Sequence, residues 1–356
     1  MCTEACSNEA WTRMTSYAGL DITVILCTYN RAESLAATLE SLAASQLPPS
    51  MAWEVLVIDN NSTDQTRDLV EDFSHRHSGR FRYLLEPRPG KSYALNSGIA
   101  NAFGRILAFV DDDAIVHPRW LQNLTAELGS GEWAGTAGRV LPAQTFVLPP
   151  WLSRSDCVVR RRGGMFQWDP LAVLCAQFDL GDHPIGLDLN RAPYGVNMAF
   201  PKNVFEKYGG FRLDLGPRPN SQLRNEDVEF GRRLMKAGEQ LRYVPSAVVY
   251  HPVPKGRVKK GFFLTWWFDY GRASILERGD RPDVWGIPHD YLSLIRRLIA
   301  ISIMSLRWMF ATRPHNRFFF RCMVWQETGM VVELYRRLVG RKASQATTLC
   351  RDRSLP

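Results

Sequence analysis

The sequence predicts an α/β fold: a mainly parallel sheet flanked by helices, followed by a C-terminal helical, amphipathic extension. Residues 22–27, 55–58 and 106–110 are short apolar runs rich in β-branched residues, which is typical of buried parallel strands. Segments with helical spacing separate these runs, and strand-helix alternation produces a parallel sheet. The last hundred residues mix large apolar side chains with arginine.

The elements of the first half follow in order along the chain. Leu35, Leu39 and Leu42 recur at helical spacing after the first strand. After the second strand, Ser62 and Gln65 have the spacing of a capping box, which predicts that a second helix begins there. The run at 106–110, the third or fourth strand, leads directly into an acidic triplet.

A second ordered block begins near residue 192. It contains a strand at 198–200, a helix from Lys202, and a helix that Asn225 would cap and Gly238 would end. Two short strands at 241–244 and 248–250 follow. Residues 141–193 lack a clear helical or strand period in their apolar residues, which indicates an irregular connection or acceptor-side structure.

Charge divides the chain in two. Residues 1–255 carry 26 Lys and Arg against 28 Asp and Glu, whereas 256–356 carry 18 against 8. We expect an N-terminal extension at 1–20, a catalytic domain at 21–255, a basic amphipathic helical region at 256–342 and a tail at 343–356. The helical region predicts association with an anionic membrane surface, while packing against the catalytic domain or a second copy remains open. Nucleic-acid binding is disfavoured, because its aromatic residues cluster with aliphatic ones.

The cysteine pattern and the N-terminal sequence favour a cytoplasmic location. Seven cysteines are scattered without a CxxC pair, and the first twenty residues hold no apolar run of signal-peptide length. No uncharged stretch reaches the ~18 residues of a spanning helix. We therefore expect a cytoplasmic protein that is peripheral on a membrane face.

Polar residues follow each strand of the predicted sheet, where ligands bind in such folds. They are residues 28–31, 59–61 and 111–113. Three consecutive aspartates repel each other unless a cation neutralises them, and Mg²⁺ or Mn²⁺ prefers such oxygen ligands together with substrate phosphates. A solvated acidic turn is the alternative.

Seven motifs in order resemble the family-two glycosyltransferases, which are inverting enzymes with a GT-A fold. They are CTYNR at 27–31, VIDNNSTD at 57–64, RPGKSYALNSG at 88–98, FVDDD at 109–113, GVNMAF at 195–200, YGGF at 208–211 and NEDVEFGRRL at 225–234. The resemblance implies a nucleotide-diphosphate-sugar donor, expected to be a UDP-sugar, and transfer to a hydroxyl acceptor in cell-surface glycan or glycolipid synthesis.

Carried over by position, the resemblance implies roles for individual residues. The donor-binding residues would be Thr28, Tyr29, Asn30, Arg31, Asp59, Arg88, Lys91, Asp111 and Asp112. The metal ligands would be Asp113, Asp111 and His251. Asn30 also fits a turn-capping role, Tyr29 a packing role, and a lone histidine such as His251 is often only hydrogen-bonded.

Asp227 resembles the general base of the family, and Glu226 precedes it as a second catalytic candidate. Inverting transfer requires a base, because the acceptor hydroxyl must lose its proton as it attacks the anomeric carbon. Glu226 has the alternative of serving as a charge at the helix N-terminus. Tyr194 and Asn197 would face the acceptor. A noncatalytic sugar-nucleotide or polysaccharide-binding relative and a nucleotidyltransferase remain alternatives, and an oligomer remains open.

Overall fold

The computed structural model describes residues 19–352, apart from 146, 154–157, 162, 163, 168, 220, 222, 280, 281 and 283–287. The chain divides into two compact units. The first consists of Met1–Gln144, Cys175–Leu213 and Glu226–Val253, and the second of Thr145–Leu174, Asp214–Asn225 and Pro254–Pro356. The predicted N-terminal extension, 1–20, lies almost entirely outside the described residues.

The described strands are β1 Ile22–Thr28, β2 Trp53–Asp59, β3 Phe81–Leu85, β4 Ile106–Asp111, β5 Ile115–Val116, β6 Gly135–Pro142, β7 Val158–Arg161, β8 Gly164–Gln167, β9 Ile185–Gly186, β10 Met198–Pro201 and β11 Leu241–His251. The described α-helices are α1 Ala32–Ala43, α2 Thr66–Arg76, α3 Lys91–Asn101, α4 Trp120–Thr125, α5 Pro170–Cys175, α6 Lys202–Tyr208, α7 Glu226–Lys236, α8 Lys260–Arg278, α9 His289–Phe310 and α10 Pro314–Asp352.

The first unit is built on one mixed sheet with the strand order β3-β2-β1-β4-β10-β6-β11-β5, and β9 pairs with β11 at its side. Strands β1 to β4 run parallel, β10 is antiparallel to both of its neighbours, and β11 is parallel to β6. The predicted mainly parallel sheet with flanking helices is therefore confirmed.

Alternate side chains of the central strands enter two different cores. In β1, Val24 and Leu26 join the core that includes Leu35 of α1, whereas Ile25 joins the core that includes Phe230 of α7. Because helices cover both faces, these strands need apolar residues at every position, which explains their continuous apolar runs.

Two local predictions were inexact. Helix α2 begins at Thr66, where the Asp64 carboxylate accepts hydrogen bonds from the backbone N–H and hydroxyl of Thr66. Ser62 accepts a hydrogen bond from the backbone of Asn30 instead, so the capping box is wrong. The two predicted strands at 241–250 form the single strand β11, whose register shifts between Val244 and Val248 around Pro245.

The second unit includes the three long C-terminal helices, and α10 packs along both α8 and α9. Phe263 and Trp267 of α8 are buried, and so are Phe318–Phe320 of α10. Helix-helix packing thus covers side chains that the sequence favoured as membrane-facing. None of the described helices combines the length and apolar character that crossing a bilayer requires.

Candidate active site

The acidic triplet lies at the carboxyl end of β4, and the chain then crosses toward β11. The short strand β5 pairs with the end of β11, with Ile115 opposite Tyr250, and this brings Asp113 close to His251. One ligand atom from each of Asp111, Asp113 and His251 can be chosen so that all lie within 4.8 Å of one another. The structure therefore gathers the three predicted metal ligands from two strand ends.

Three basic side chains neutralise the triplet. Lys91 Nζ lies 2.7 Å from Asp111 Oδ1, and His251 Nε2 lies 3.2 Å from Asp113 Oδ1. Arg31 Nη1 bridges Asp112 at 3.0 Å and Asp113 at 3.3 Å. These ion pairs offset the repulsion among the three aspartates, which the sequence led us to expect a metal ion to relieve.

Burial and charge shift the ionisation of these groups. Burial raises the pKa of Asp112 to about 6, although the Arg31 charge opposes the shift. Burial alone would lower the pKa of His251, but its hydrogen bond and charge interaction with Asp113 outweigh this and raise it. Likewise, the carboxylates of Asp111 and Glu226 outweigh burial and raise the pKa of Lys91.

Asp112 differs from its neighbours because it turns inward. Its carboxylate accepts hydrogen bonds from the Thr28 hydroxyl at 2.8 Å and from Arg31, and only 5% of the residue is exposed. This arrangement fixes the loop after β1 against the end of β4. A direct contact of Asp112 with the donor stays a prediction.

The loops after β1 and β2 hold each other in place. Asn30 has a φ of 51° and its side-chain oxygen accepts a hydrogen bond from the Thr63 backbone. Asp59 is 2% exposed, and its carboxylate accepts hydrogen bonds from the Ser62 backbone and the Tyr83 hydroxyl, both at 2.8 Å. Tyr29 is 52% exposed. Asn30 and Asp59 thus have structural bonds at the predicted donor pocket.

Asn60 ties the end of β2 to the start of α3, which is a link that the sequence did not indicate. Its amide donates to the carbonyls of Glu86 and Arg88, and its oxygen accepts from the Gly90 backbone. The Arg88 guanidinium forks onto the Glu86 carboxylate with two 2.8 Å hydrogen bonds. The contacts of Asn60 form because β2 pairs with β3, so no local motif could reveal them.

Glu226 and Asp227 form the first turn of α7. Asp227 is half-buried and accepts hydrogen bonds from the backbones of Gly195 at 2.5 Å and Val228 at 2.7 Å. Glu226 is buried, with Oε1 4.0 Å from Lys91 Nζ. Burial and then the charge of Asp227 raise the pKa of Glu226 to about 7, and burial raises that of Asp227.

The two predicted acceptor-side residues have different positions. Tyr194 is half-buried, and its ring lies 5.2 Å from that of Phe178. Asn197 is 1% exposed. Its amide donates to the carbonyls of Arg139 and Ala247, and its oxygen accepts from Trp120. With both amide protons engaged inside the fold, the structure gives Asn197 a structural role in place of the expected acceptor contact.

The chain is similar to known proteins in sequence and in fold. Residues 23–177 match the family model described as Glycosyl transferase family 2. Residues 23–177 are a family-two glycosyltransferase domain. Among the curated relatives of this glycosyltransferase, AglE of Haloferax volcanii is 27% identical over 83% of both chains. The glucosyl-dolichyl phosphate glucuronosyltransferase of the same organism is 25% identical over 71% of this chain and 76% of its own length.

Two further similarities complete the comparison. The succinoglycan biosynthesis protein ExoM of Rhizobium meliloti is 28% identical over 67% of this chain and 69% of its own. The mannosyltransferase PcManGT of Pyrobaculum calidifontis, solved in complex with GDP-Man and Mn²⁺, superposes with a TM-score of 0.58 over 92% of this chain and 94% of its own, at 18% identity. The glycosyltransferase therefore has the GT-A fold.

Proposed function

We propose that the protein transfers a sugar from a nucleoside-diphosphate donor to an acceptor hydroxyl with inversion at the anomeric carbon. The observation that carries the proposal is the position of Lys91 between two acidic groups. Its amine lies 2.7 Å from Asp111 in the candidate metal cluster and 4.0 Å from Glu226, the neighbour of the candidate base Asp227. The groups for leaving-group stabilisation and for proton removal thus meet in one site.

We assign donor binding to the edge formed by the ends of β1, β2 and β4. The exposed Tyr29 and the Arg31 guanidinium, with its side chain 48% exposed, can contact a nucleotide there. The family resemblance assigns Lys91 and Arg88 to the donor phosphates, and the Lys91 amine lies 2.7 Å from Asp111 of the candidate metal cluster. A UDP-sugar is the expected donor, and a GDP-sugar is the other candidate because PcManGT was solved with GDP-Man.

The donor set of Asp111, Asp113 and His251 fits a divalent cation. Two carboxylates and an imidazole suit Mn²⁺, and Mg²⁺ accepts the same carboxylates together with donor phosphates. PcManGT was solved with Mn²⁺. When bound, such a cation would act as a Lewis acid that stabilises negative charge on the departing diphosphate.

The half-buried Asp227 is assigned the role of general base. The backbone N–H groups of Gly195 and Val228 fix its carboxylate, so its orientation is set before an acceptor binds. Its raised pKa makes it a better proton acceptor than an exposed aspartate. Glu226 is the second candidate.

The acceptor is proposed to be lipid-linked or assembled at a membrane, in cell-surface glycan or glycolipid synthesis. The names of two relatives support this, since one acts on glucosyl-dolichyl phosphate and the other belongs to succinoglycan biosynthesis. The basic C-terminal segment, with 18 Lys and Arg against 8 Asp and Glu, supports a peripheral position on the cytoplasmic membrane face.

A panel of nucleotide sugars tests the activity. We expect the purified protein to release nucleoside diphosphate slowly from one donor, in the presence of Mn²⁺ or Mg²⁺ and not with a chelator. Addition of an acceptor should then give a product with the opposite anomeric configuration. Donor binding without turnover of any sugar nucleotide would favour the noncatalytic alternative. Transfer of the nucleoside monophosphate part, with release of sugar 1-phosphate in place of nucleoside diphosphate, would favour a nucleotidyltransferase.

Asp227→Asn should separate binding from chemistry. The variant keeps an oxygen to accept the Gly195 hydrogen bond, so we expect unchanged donor affinity and a chemical step slowed ~10²–10⁴-fold. Single-turnover transfer at saturating donor measures this rate. Asp72→Asn, on the exposed surface of α2, is the matched control. A loss of less than a few-fold would remove Asp227 from the base role.

A further inference from the structure

One side of α9 exposes a continuous row of large apolar side chains. They are Ile295, Leu298, Ile299, Ile303, Leu306 and Met309, each between 44% and 64% exposed. Their spacing of three and four residues places them on one helix face, over about 21 Å of helix length. This set is called the α9 apolar face below.

The opposite side of α9 is packed within the helical unit. Leu294 packs against the buried cluster of Ile275, Met330 and Leu334, and Arg297 pairs with Glu327 of α10 at 3.0 Å. The helix therefore has a fixed inner side, and its outer side is apolar where an ordinary surface helix is polar. Contiguous exposed apolar surface of this kind marks an interaction site.

The charges around the α9 apolar face have one sign. Within the described residues 288–340, every exposed charged side chain is an arginine, namely Arg296, Arg307, Arg313, Arg317 and Arg336. The acidic side chains of the same stretch are buried or half-buried: Asp290, Glu327 and Glu333. Arg296 and Arg307 fall seven positions before and four after Ile303, so they border the apolar face on that side.

We propose that the α9 apolar face is the surface by which this enzyme docks on an anionic lipid bilayer, with α9 lying in the plane of the interface. An apolar face bordered by arginine, in a helix that cannot span, matches the chemistry of an interfacial helix. A second copy fits less well, because pairing of two such faces would bring arginines together without exposed carboxylates. The assignment rests on the membrane location proposed above and narrows it from a segment to one helix face.

Vesicle co-sedimentation of the full-length protein tests the proposal. We expect the wild type to pellet with phosphatidylglycerol-containing vesicles, less so as salt rises, and to bind phosphatidylcholine vesicles weakly. Ile299→Glu with Ile303→Glu should reduce partitioning at least ~10-fold, because two apolar contacts are replaced by charges that anionic lipid repels. Leu189→Glu with Leu213→Glu, at exposed leucines of the first unit, is the matched control and should bind as the wild type does.

Three results would overturn the assignment. The first is vesicle binding by the α9 variant that is as strong as that of the wild type, and the second is a wild type that stays in the supernatant at low salt. The third is a wild-type dimer, measured by light scattering, that the α9 substitutions dissociate while vesicle binding persists. If the double variant does not fold, Arg296→Gln with Arg307→Gln keeps the apolar face and should weaken the salt dependence; an unchanged salt profile would contradict the proposal. Donor hydrolysis without vesicles should be retained in every variant, and its absence in the wild type would refute the enzymatic function alone.

Discussion

Three basic residues offset the negative charge of the acidic triplet, and each comes from a different part of the first unit. Lys91 begins α3, Arg31 precedes α1 and His251 ends β11. These contacts help Asp111, Asp112 and Asp113 to lie side by side at the end of β4. The metal assignment rests on the chemistry of the Asp111, Asp113 and His251 donor set rather than on unrelieved repulsion.

Glu226 should make the folded state sensitive to pH. Its pKa is raised from 4.5 to about 7, so the native state retains this proton at a pH where the unfolded chain has lost it. The stability that the proton contributes is complete below pH 4.5 and is lost as the pH rises through about 7. Glu226→Gln should therefore flatten the decline in melting temperature between about pH 5 and pH 8.

Thermal melts across that range provide the measurement. At about pH 8 the variant should melt higher than the wild type, by ~2–4 °C for each kcal/mol of relieved penalty. Glu206→Gln, on the exposed side of α6, should leave the profile unchanged. Parallel profiles for wild type and Glu226→Gln would show that the carboxyl group does not titrate in this window.

Sequence could identify residues at strand ends but not their partners. Asp111 and Asp113 could be chosen because the carboxyl ends of parallel strands share one edge of a sheet, and His251 because it matches the position of a metal-binding histidine in the family that the sequence resembles. The burial of Asn197 depends on Trp120, which is 77 positions away in sequence and lies on a separate helix. An asparagine two residues after Gly195 in an apparent loop gives no local sign of that contact.

At the scale of elements, the side chain of Asn60 makes three of the hydrogen bonds that hold the loop between β3 and α3. Asn60→Ala would remove its hydrogen bonds to the carbonyls of Glu86 and Arg88 and to the N–H of Gly90. We expect a loss of ~1–3 kcal/mol in the free energy of unfolding, together with a higher KM for the donor because Lys91 follows Gly90.

Urea denaturation and steady-state kinetics test the two effects separately. Asn101→Ala is the matched control, since the Asn101 amide bonds only the Ser97 carbonyl within the described part of the chain and is exposed. If Asn60→Ala unfolds at the wild-type urea concentration with an unchanged KM, the loop is held by other contacts.

The crossing of α8 and α10 requires two glycines. A Cβ atom on Gly271 would lie 2.1 Å from the Gln326 carbonyl oxygen, and one on Gly329 would lie 2.0 Å from that of Phe268. Gly271→Ala and Gly329→Ala should each destabilise the helical unit by ~1–3 kcal/mol, because backbone atoms would have to move.

The control for these two variants lies on the same helix. A Cβ on Gly261 of α8 meets nothing within 4 Å, so Gly261→Ala should be neutral or stabilising by up to ~1 kcal/mol. Circular dichroism melts of the full chain compare the three. Equal melting temperatures for Gly271→Ala and Gly261→Ala would show that the two helices do not approach this closely.

The same packing explains why the helical region was only partly predictable. Sequence shows that large apolar residues and arginines alternate from 256 to 342, but it does not show which apolar residues other helices cover. Phe263 and Phe319 are fully buried, while Ile299 and Met309 are more than half exposed. The distinction depends on the register of α10 against its neighbours, which the glycine contacts fix.

At the scale of the whole molecule, charge and chemistry separate between the two units. Asp111, Asp113, Lys91, Asp227 and His251 all belong to the first unit. The α9 apolar face and its arginines belong to the second. This division predicts that substitutions in the acidic cluster change ligand binding and leave vesicle binding intact, and that substitutions on α9 do the reverse.

Ligand binding to the acidic cluster should stabilise the fold by mass action. Mn²⁺ and nucleoside diphosphate together should raise the melting temperature of the wild type, since a ligand at 100 times its Kd contributes ~2.7 kcal/mol. Asp113→Asn should abolish most of this rise, because the substitution removes one carboxylate from the cluster of Asp111, Asp113 and His251. Asp72→Asn, on the exposed side of α2, should retain it. Scanning fluorimetry with and without a chelator measures the shift independently of turnover. The metal assignment fails if Asp113→Asn is stabilised as much as the wild type, or if the chelator leaves the wild-type shift unchanged.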